Sequence, residues 1–140
     1  MYSNVLCAVD LDDEHSWKKA LPKAIDMCGD GGNLHLLTVL PEFGLSVISQ
    51  FFPDNFEKTT LTAAKDALRA FIDQHVPNNV SSRAIVAQGR VYEQILHVAD
   101  EVGCDAIVMA AGNPDLAQYL LGPNAARVVR HATCSVLVVR

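Results

Sequence analysis

The chain has 140 residues, of which 50% are hydrophobic and 19% are charged, and its formal net charge at pH 7 is −5. We expect a single domain over residues 1–140 with a substantial core. The acidic balance argues against nucleic-acid binding, which depends on clustered Lys and Arg. No stretch approaches the roughly 20 apolar residues of a membrane span and no signal peptide is recognisable, so we expect a cytoplasmic protein without membrane insertion.

Five apolar runs rich in Val, Ile and Leu are predicted to be β-strands. Each is apolar at several successive positions, which is typical of parallel strands that are covered on both faces. The runs are NVLCAVD at 4–10, NLHLLTVL at 33–40, SRAIVAQ at 82–88, DAIVMAA at 105–111 and CSVLVVR at 134–140.

Segments with apolar residues at helical spacing separate these strands. They cover 15–28, 57–75 and 91–103, and the last ends in Gly103, a plausible C-terminal cap. Pro22 predicts a kink or a shortened first turn in the first helix. Gly122 followed by Pro123 is typical of the start of a final helix.

The alternation of strands and helices predicts an α/β fold with a parallel sheet, right-handed crossovers and helices on both faces. A chain that winds out through strands two and three, and then returns beyond strand one, gives a doubly wound, Rossmann-like sheet in the order 3-2-1-4-5. Ligands bind where such an order reverses, outside the carboxyl ends of the strands. Asp10 ends strand one and Met109–Gly112 ends strand four, so both face the predicted crevice.

The stretch 41–56, PEFGLSVISQFFPDNF, is long for a connection and rich in large apolar residues. One interpretation is a lid over the crevice or a partner-binding flap. The other, which we favour, is a short helix packed on its own domain.

Gly112 and Gly122 have two interpretations as well. A glycine that ends a strand and another that precedes a helix can bring backbone amides close to a phosphate. Ordinary turn chemistry explains both equally simply, with Gly112–Asp115 as a turn. Their spacing fits neither the P-loop nor the dinucleotide fingerprint. Arg127 and Arg130 on the final helix either reach a phosphate or lie on a solvated or dimer-facing side of the helix, and we favour the second interpretation.

The same segments carry a resemblance to the universal stress protein family. It runs from VLCAVDLDD through LHLLTVLP and AQGRVYEQIL to the closing block, CDAIVMAAGNPDLAQYLLGPNAARVVRHATCSVLVVR, and covers essentially the whole chain. The resemblance implies a five-stranded domain of the adenine nucleotide alpha hydrolase-like type. It further implies a homodimer that frequently binds ATP and acts in stress survival or regulation.

Nucleotide-binding members of that family carry a glycine, two residues, a glycine, nine residues, a glycine and then Ser or Thr. The corresponding positions here are Met109, Gly112, Gly122 and Pro123, so the first and last elements differ. Pro123 offers neither an amide hydrogen nor a hydroxyl, although the Asn124 side chain can supply a replacement donor.

By the same resemblance, Asp10 lies near the ribose or a phosphate-bound metal, and Val39 offers backbone groups to adenine. An alternative for Asp10 is that it caps and charges the start of the first helix, together with Asp12, Asp13 and Glu14. The predicted nucleotide-binding residues are Ala8, Val9, Asp10, Val39, Met109, Gly112, Gly122, Pro123, Asn124 and Ala125.

Two functional hypotheses follow. In the first, a homodimer binds ATP, with Mg²⁺ to offset the nearby acids, and regulates an unknown protein partner. In the second, Met109 and Pro123 degrade the phosphate loop, and the chain is an ATP-independent dimeric interaction module. No activated nucleophile or catalytic base is recognisable, so we expect at most weak ATP hydrolysis.

The final strand occupies a sheet edge, which favours dimerisation there, and the resemblance implies antiparallel pairing.

Overall fold

The computed structural model describes residues 2–41, 56–112 and 122–140. In these ranges five parallel strands form one sheet in the order β3-β2-β1-β4-β5, which confirms the predicted doubly wound fold. The strands are β1 (Asn4–Ala8), β2 (Asn33–Leu40), β3 (Ser81–Gln88), β4 (Ala106–Ala110) and β5 (Ser135–Val139).

Four α-helices connect the strands in the described ranges. They are α1 (Ala20–Cys28), α2 (Phe56–His75), α3 (Val91–Val102) and α4 (Pro123–His131). The predicted C-terminal cap at Gly103 is confirmed, since this residue is left-handed with a φ of 67° and its N–H bonds back to the last turn of α3.

The first helix begins later than predicted. Residues Glu14–Ser16 form a short 3-10 helix, and α1 starts at Ala20 instead of residue 15. Pro22 therefore lies in the first turn of α1, where its missing N–H removes no intrahelical hydrogen bond.

Side chains on the two faces of the sheet belong to two separate core clusters. Val5 and Cys7 of β1 pack with the residues of α1 and α2, whereas Leu6 packs with those of α3 and α4. All three side chains are fully buried, as the continuous apolar pattern of the strand predicts.

Asp105 fixes β1 beside β4. Its two carboxylate oxygens accept the backbone N–H groups of Ser3 and Asn4, each at 2.9 Å. These bonds, with that from Ser3 foremost, hold the pKa of Asp105 below its usual value. This contact joins β1 and β4 at their amino ends. The carboxyl ends of the same two strands lie on either side of the point where the strand order reverses.

The interpretations of segment 41–56 concern residues 42–55, which lie outside the described residues, and so does the predicted turn beyond Gly112. In the described ranges, no helix combines the length and apolarity needed to cross a membrane.

Candidate functional site

A cavity of about 240 Å³ opens at the carboxyl ends of the central strands, on the sheet face that α3 and α4 cover. It lies at the reversal of strand order, where doubly wound sheets bind their ligands. Its described lining residues are Ala8, Val9, Asp10, Asp13, His15, Ser16, Leu37, Val39, Val91, Ile95, Met109, Ala110, Gly112 and Asn124.

The floor of this cavity is apolar. Leu37 of β2 and Ile95 of α3 are fully buried, and Met109 at the end of β4 is only 6% exposed. All three also belong to the core cluster beneath α3 and α4, so packing fixes their positions. Ala8 and Val39 complete a surface suited to a flat apolar group.

The loop that follows β1 carries the acidic wall. Val9 donates its N–H to the Leu37 carbonyl at 2.8 Å, which extends β1 by one contact before the chain turns at Asp10. The Asp10 carboxylate accepts the N–H of Asp12 at 3.0 Å and lines the cavity. Its exposed position leaves further lone pairs for a ligand.

Ser16 holds this loop in shape. Its hydroxyl oxygen accepts the Asp10 N–H at 2.8 Å, and its hydroxyl hydrogen can reach the carbonyl oxygens of Asp13, at 2.7 Å, and of Asp10, at 3.0 Å. The N-cap of the 3-10 helix is Asp13, which accepts the His15 N–H at 3.1 Å. Asp13 thus caps the 3-10 helix, Asp10 accepts one N–H of the preceding turn, and both residues line the cavity.

Two glycines join the end of β4 to the start of α4. Gly112 lines the cavity in a positive-φ conformation, with φ at 125°. Gly122 donates its N–H to the Ala111 carbonyl at 2.6 Å and is the N-cap of α4. Residues 113–121 are outside the described ranges, and the backbones of Gly112 and Gly122 lie in contact.

The start of α4 offers few hydrogen-bond donors. The N–H of Gly122 is occupied, Pro123 has none, and no side chain caps this end of the helix. The N–H groups of Asn124 and Ala125 are the next two, and such groups have no intrahelical partner. Asn124 lines the cavity, whereas Ala125 is 2% exposed and packs in the core cluster.

The described lining residues include two carboxylates and one imidazole, that of His15. Asp10 and Asp13 lie there, and neither Lys nor Arg does. Arg127 stacks its guanidinium over the Tyr92 ring, 4.9 Å from the centroid, and is not among the lining residues. Among the described lining residues, a phosphate would therefore meet carboxylates and no Lys or Arg side chain.

Seven of the ten predicted site residues line the cavity, and Gly122, Pro123 and Ala125 are not among its lining residues. The seven described lining residues that are absent from the predicted set are Asp13, His15, Ser16, Leu37, Val91, Ile95 and Ala110. Val91 and Ile95 carry a detectable signal, because they are apolar, four residues apart, and follow strand three directly. Helices that follow parallel strands begin at the carboxyl edge, so their first turns approach this crevice.

In the described residues, no group of three or more His, Cys, Asp or Glu side chains is arranged to hold a metal ion. A cation here would need oxygen ligands from a bound phosphate as well as from the protein.

The sheet order and the cavity at its reversal define a Rossmann-like α/β domain. A sequence model described as the Universal stress protein family matches residues 1–140, and the chain belongs to this family. Universal stress protein G of Escherichia coli O157:H7 is 32% identical over 142 residues, which cover 100% of both chains.

Solved structures share the fold. Universal stress protein UspA from Lactobacillus plantarum superposes with a TM-score of 0.75 at 23% identity, covering 99% of this chain and 98% of that one. A universal stress protein family protein from Arabidopsis thaliana with AMP bound gives 0.66 at 19% identity, covering 98% and 90%. A universal stress protein in complex with cAMP gives 0.63 at 18% identity, covering 99% and 97%.

Proposed function

We propose that the protein binds an adenine nucleotide, ATP together with Mg²⁺, in the cavity between β1 and β4. The observation that carries this proposal is the combination of an apolar floor with the Asp10 carboxylate at one ligand-sized cavity. The two fold relatives described with AMP and with cAMP support an adenine nucleotide as the ligand class.

The adenine ring is assigned to the apolar floor, against Val39 and Met109, with Ala8 and Val9 beside it. The ribose or a phosphate-bound Mg²⁺ is assigned to Asp10. The phosphates are assigned to the backbone around Gly112 and to the start of α4, where Asn124 and Ala125 supply N–H groups. Gly122 and Pro123 shape that end without donating to the ligand.

The charges of the lining side chains favour binding of Mg²⁺ together with the nucleotide. Asp10 and Asp13 would repel a bare triphosphate, and no described lining side chain is Lys or Arg. Carboxylate and phosphate oxygens are the ligands that Mg²⁺ prefers, and it commonly uses one or two carboxylates with substrate phosphates. The donor set therefore fits the cation when nucleotide is present.

Equilibrium dialysis against ATP, with and without Mg²⁺, tests the proposal. We expect saturable binding with Mg²⁺ below millimolar concentrations and a loss of at least about tenfold in Asp10→Ala. Asp26→Ala is the matched control, since Asp26 is an exposed acid on α1 away from the cavity. An absence of saturable binding, or equal losses in both variants, would contradict nucleotide binding at this site.

The second candidate function is an ATP-independent interaction module. It is favoured by Met109, whose side chain occupies the first glycine position, and by Pro123, which removes a donor at the start of α4. Release of adenine nucleotide from the denatured purified protein would count against this candidate.

We further propose that two copies pair through β5 to form a cytoplasmic homodimer that regulates a protein partner. β5 is the last strand of the sheet, and the side chain of Leu137 is 37% exposed. Val139 bonds to β4 through its carbonyl, so the backbone groups of Val138 face away from β4. Analytical sedimentation of the unmodified protein should give the mass of a dimer, and the Val138→Pro variant should sediment as a monomer. A monomeric mass of the unmodified protein at micromolar concentration would contradict pairing through β5.

A further inference from the structure

The outer edge of β3 presents backbone groups that no described strand pairs with. β3 ends the sheet on the side opposite β5 and pairs with β2 over its whole length. The N–H of Gly89 bonds to the Leu40 carbonyl at 2.9 Å, and alternate residues of a strand bond to the same neighbour. The backbone N–H and C=O groups of Ser82, Ala84 and Val86 therefore point away from β2, and no described strand pairs with them.

A groove between this edge and α2 follows the same residues. It consists of two adjoining depressions of about 460 and 260 Å³, which share Lys65, Arg83 and Ala84. Leu61 and Ile72 of α2 add apolar surface to it. An extended chain laid along the edge would thus meet backbone partners on one side and a helix wall on the other.

The groove is cationic in an acidic protein. Lys65 and Arg69 of α2 are exposed and one helical turn apart, whereas Arg83 alternates along β3 with Ala84, which packs towards α2, so its side chain lies on the other face of the sheet. Neither Lys65 nor Arg69 forms an ion pair with a described residue, and Asp73 is the one acid among the described lining residues. The net charge of the whole chain is −5, so this local excess of positive charge is unusual for the molecule.

We propose that the outer edge of β3, with Lys65 and Arg69 of α2, binds an extended acidic segment of a partner protein. The segment pairs as a sixth strand with Ser82, Ala84 and Val86, and its carboxylates contact the two cations. Strand addition takes its affinity from main-chain hydrogen bonds, while charge complementarity selects the partner and fixes the register.

This surface is independent of the nucleotide cavity. The two sites share no described lining residue, and β3 is at the opposite end of the sheet from β5. A partner can therefore bind here whether or not nucleotide is bound and whether or not two copies pair through β5.

Fluorescence anisotropy tests the proposal with a fluorescein-labelled peptide that alternates Glu and Thr. We expect saturable binding that the double variant Lys65→Glu/Arg69→Glu weakens at least about tenfold. The double variant Lys19→Glu/Lys23→Glu changes the net charge equally on exposed positions near α1 and should leave the affinity within about twofold. Equal losses in the two double variants would overturn the proposal.

A measurement on the backbone amides distinguishes strand addition from binding by charge attraction alone. Amide hydrogen exchange of Ser82, Ala84 and Val86 should slow when the Glu–Thr peptide binds. Ser82→Pro removes one outward N–H without removing a bond to β2 and should weaken binding, whereas Ser82→Ala should not. Unchanged exchange at these three amides would overturn the proposal.

Two further outcomes would assign the surface to another occupant and overturn the proposal. One is binding of a single-stranded DNA oligonucleotide of equal charge as tightly as the Glu–Thr peptide. The other is a dimer that dissociates in Lys65→Glu/Arg69→Glu, which would assign the edge to a second copy. All measurements are repeated without nucleotide. Their outcome therefore does not depend on whether the protein binds ATP.

Discussion

The backbones of Gly112 and Gly122 touch at the junction of β4 and α4. A Cβ built on Gly112 would lie 3.0 Å from the Gly122 Cα, and one built on Gly122 would lie 3.2 Å from the Gly112 Cα. Both distances are shorter than ordinary van der Waals contact. The two glycines therefore meet a packing requirement of the protein itself, in addition to any approach of a ligand.

Replacement of Gly112 by alanine should destabilise the fold. Its φ of 125° is unfavourable for a residue with a Cβ, and the added methyl would press on Gly122. We expect a loss of about 2–3 kcal/mol in the free energy of unfolding, measured by urea denaturation. Gly103→Ala is the control, because its φ is also positive, at 67°, but a Cβ there meets nothing within 4 Å. Similar losses in both variants would show that the contact with Gly122 contributes nothing.

Pro123→Ser should strengthen nucleotide binding. The substitution adds an N–H and a hydroxyl at the first position of α4, next to Asn124, which lines the cavity. We expect Mg-ATP affinity to rise about tenfold, as one charge-assisted hydrogen bond would give. Pro123→Ala adds only the N–H, and adenosine, which has no phosphate, should bind all three proteins equally. A gain for adenosine equal to that for ATP would contradict a phosphate contact at this position.

The sequence predicted the strands and helices because the signals for them are local, whereas the sheet order followed from the winding assumed for a doubly wound fold. Five apolar runs and the helical spacing between them require only composition and periodicity. The strand ends were less accurate: the first strand was predicted over 4–10, but β1 ends at Ala8. Val9 is as apolar as its neighbours and still bonds to Leu37, so hydrophobicity alone cannot mark where regular pairing stops.

The cavity was predicted only in part, for a physical reason. Asp10 and Gly112 follow strands, and the fold rule brings them to one edge. The contact of Gly112 with Gly122 joins residues that are ten positions apart in the chain, and Ser16 acts through hydrogen bonds within a turn. Neither relationship leaves a periodic pattern in the sequence.

Ser16→Ala should weaken nucleotide binding without direct contact with the base. The hydroxyl accepts the Asp10 N–H at 2.8 Å and approaches the Asp13 carbonyl at 2.7 Å, so its loss frees the loop that positions the Asp10 carboxylate. We expect Mg-ATP affinity to fall about threefold to tenfold, together with about 1 kcal/mol of stability. Ser16→Thr keeps the hydroxyl and should restore binding. An affinity unchanged in Ser16→Ala would remove Ser16 from the site.

The buried Cys7 thiol should make the free energy of unfolding fall as the pH rises into the alkaline range. Burial, with a smaller contribution from Cys28, raises the pKa of Cys7 from 9.0 to about 12. The unfolded thiol loses its proton above its own pKa while the folded one keeps it, so stability is complete below pH 9.0 and falls as pH rises towards 12. The slope from one such thiol is about 1.4 kcal/mol per pH unit.

Cys7→Ala tests this slope against a matched core variant. Cys7 and Val5 are both fully buried in β1 and belong to the same core cluster. Cys7→Ala and Val5→Ala should each lower the free energy of unfolding, but only Cys7→Ala should also flatten its fall between about pH 9 and about pH 11, followed by urea denaturation. The other ionisable groups are common to both variants and cancel in the comparison. Parallel pH profiles for the two variants would mean that the buried Cys7 thiol does not control alkaline stability.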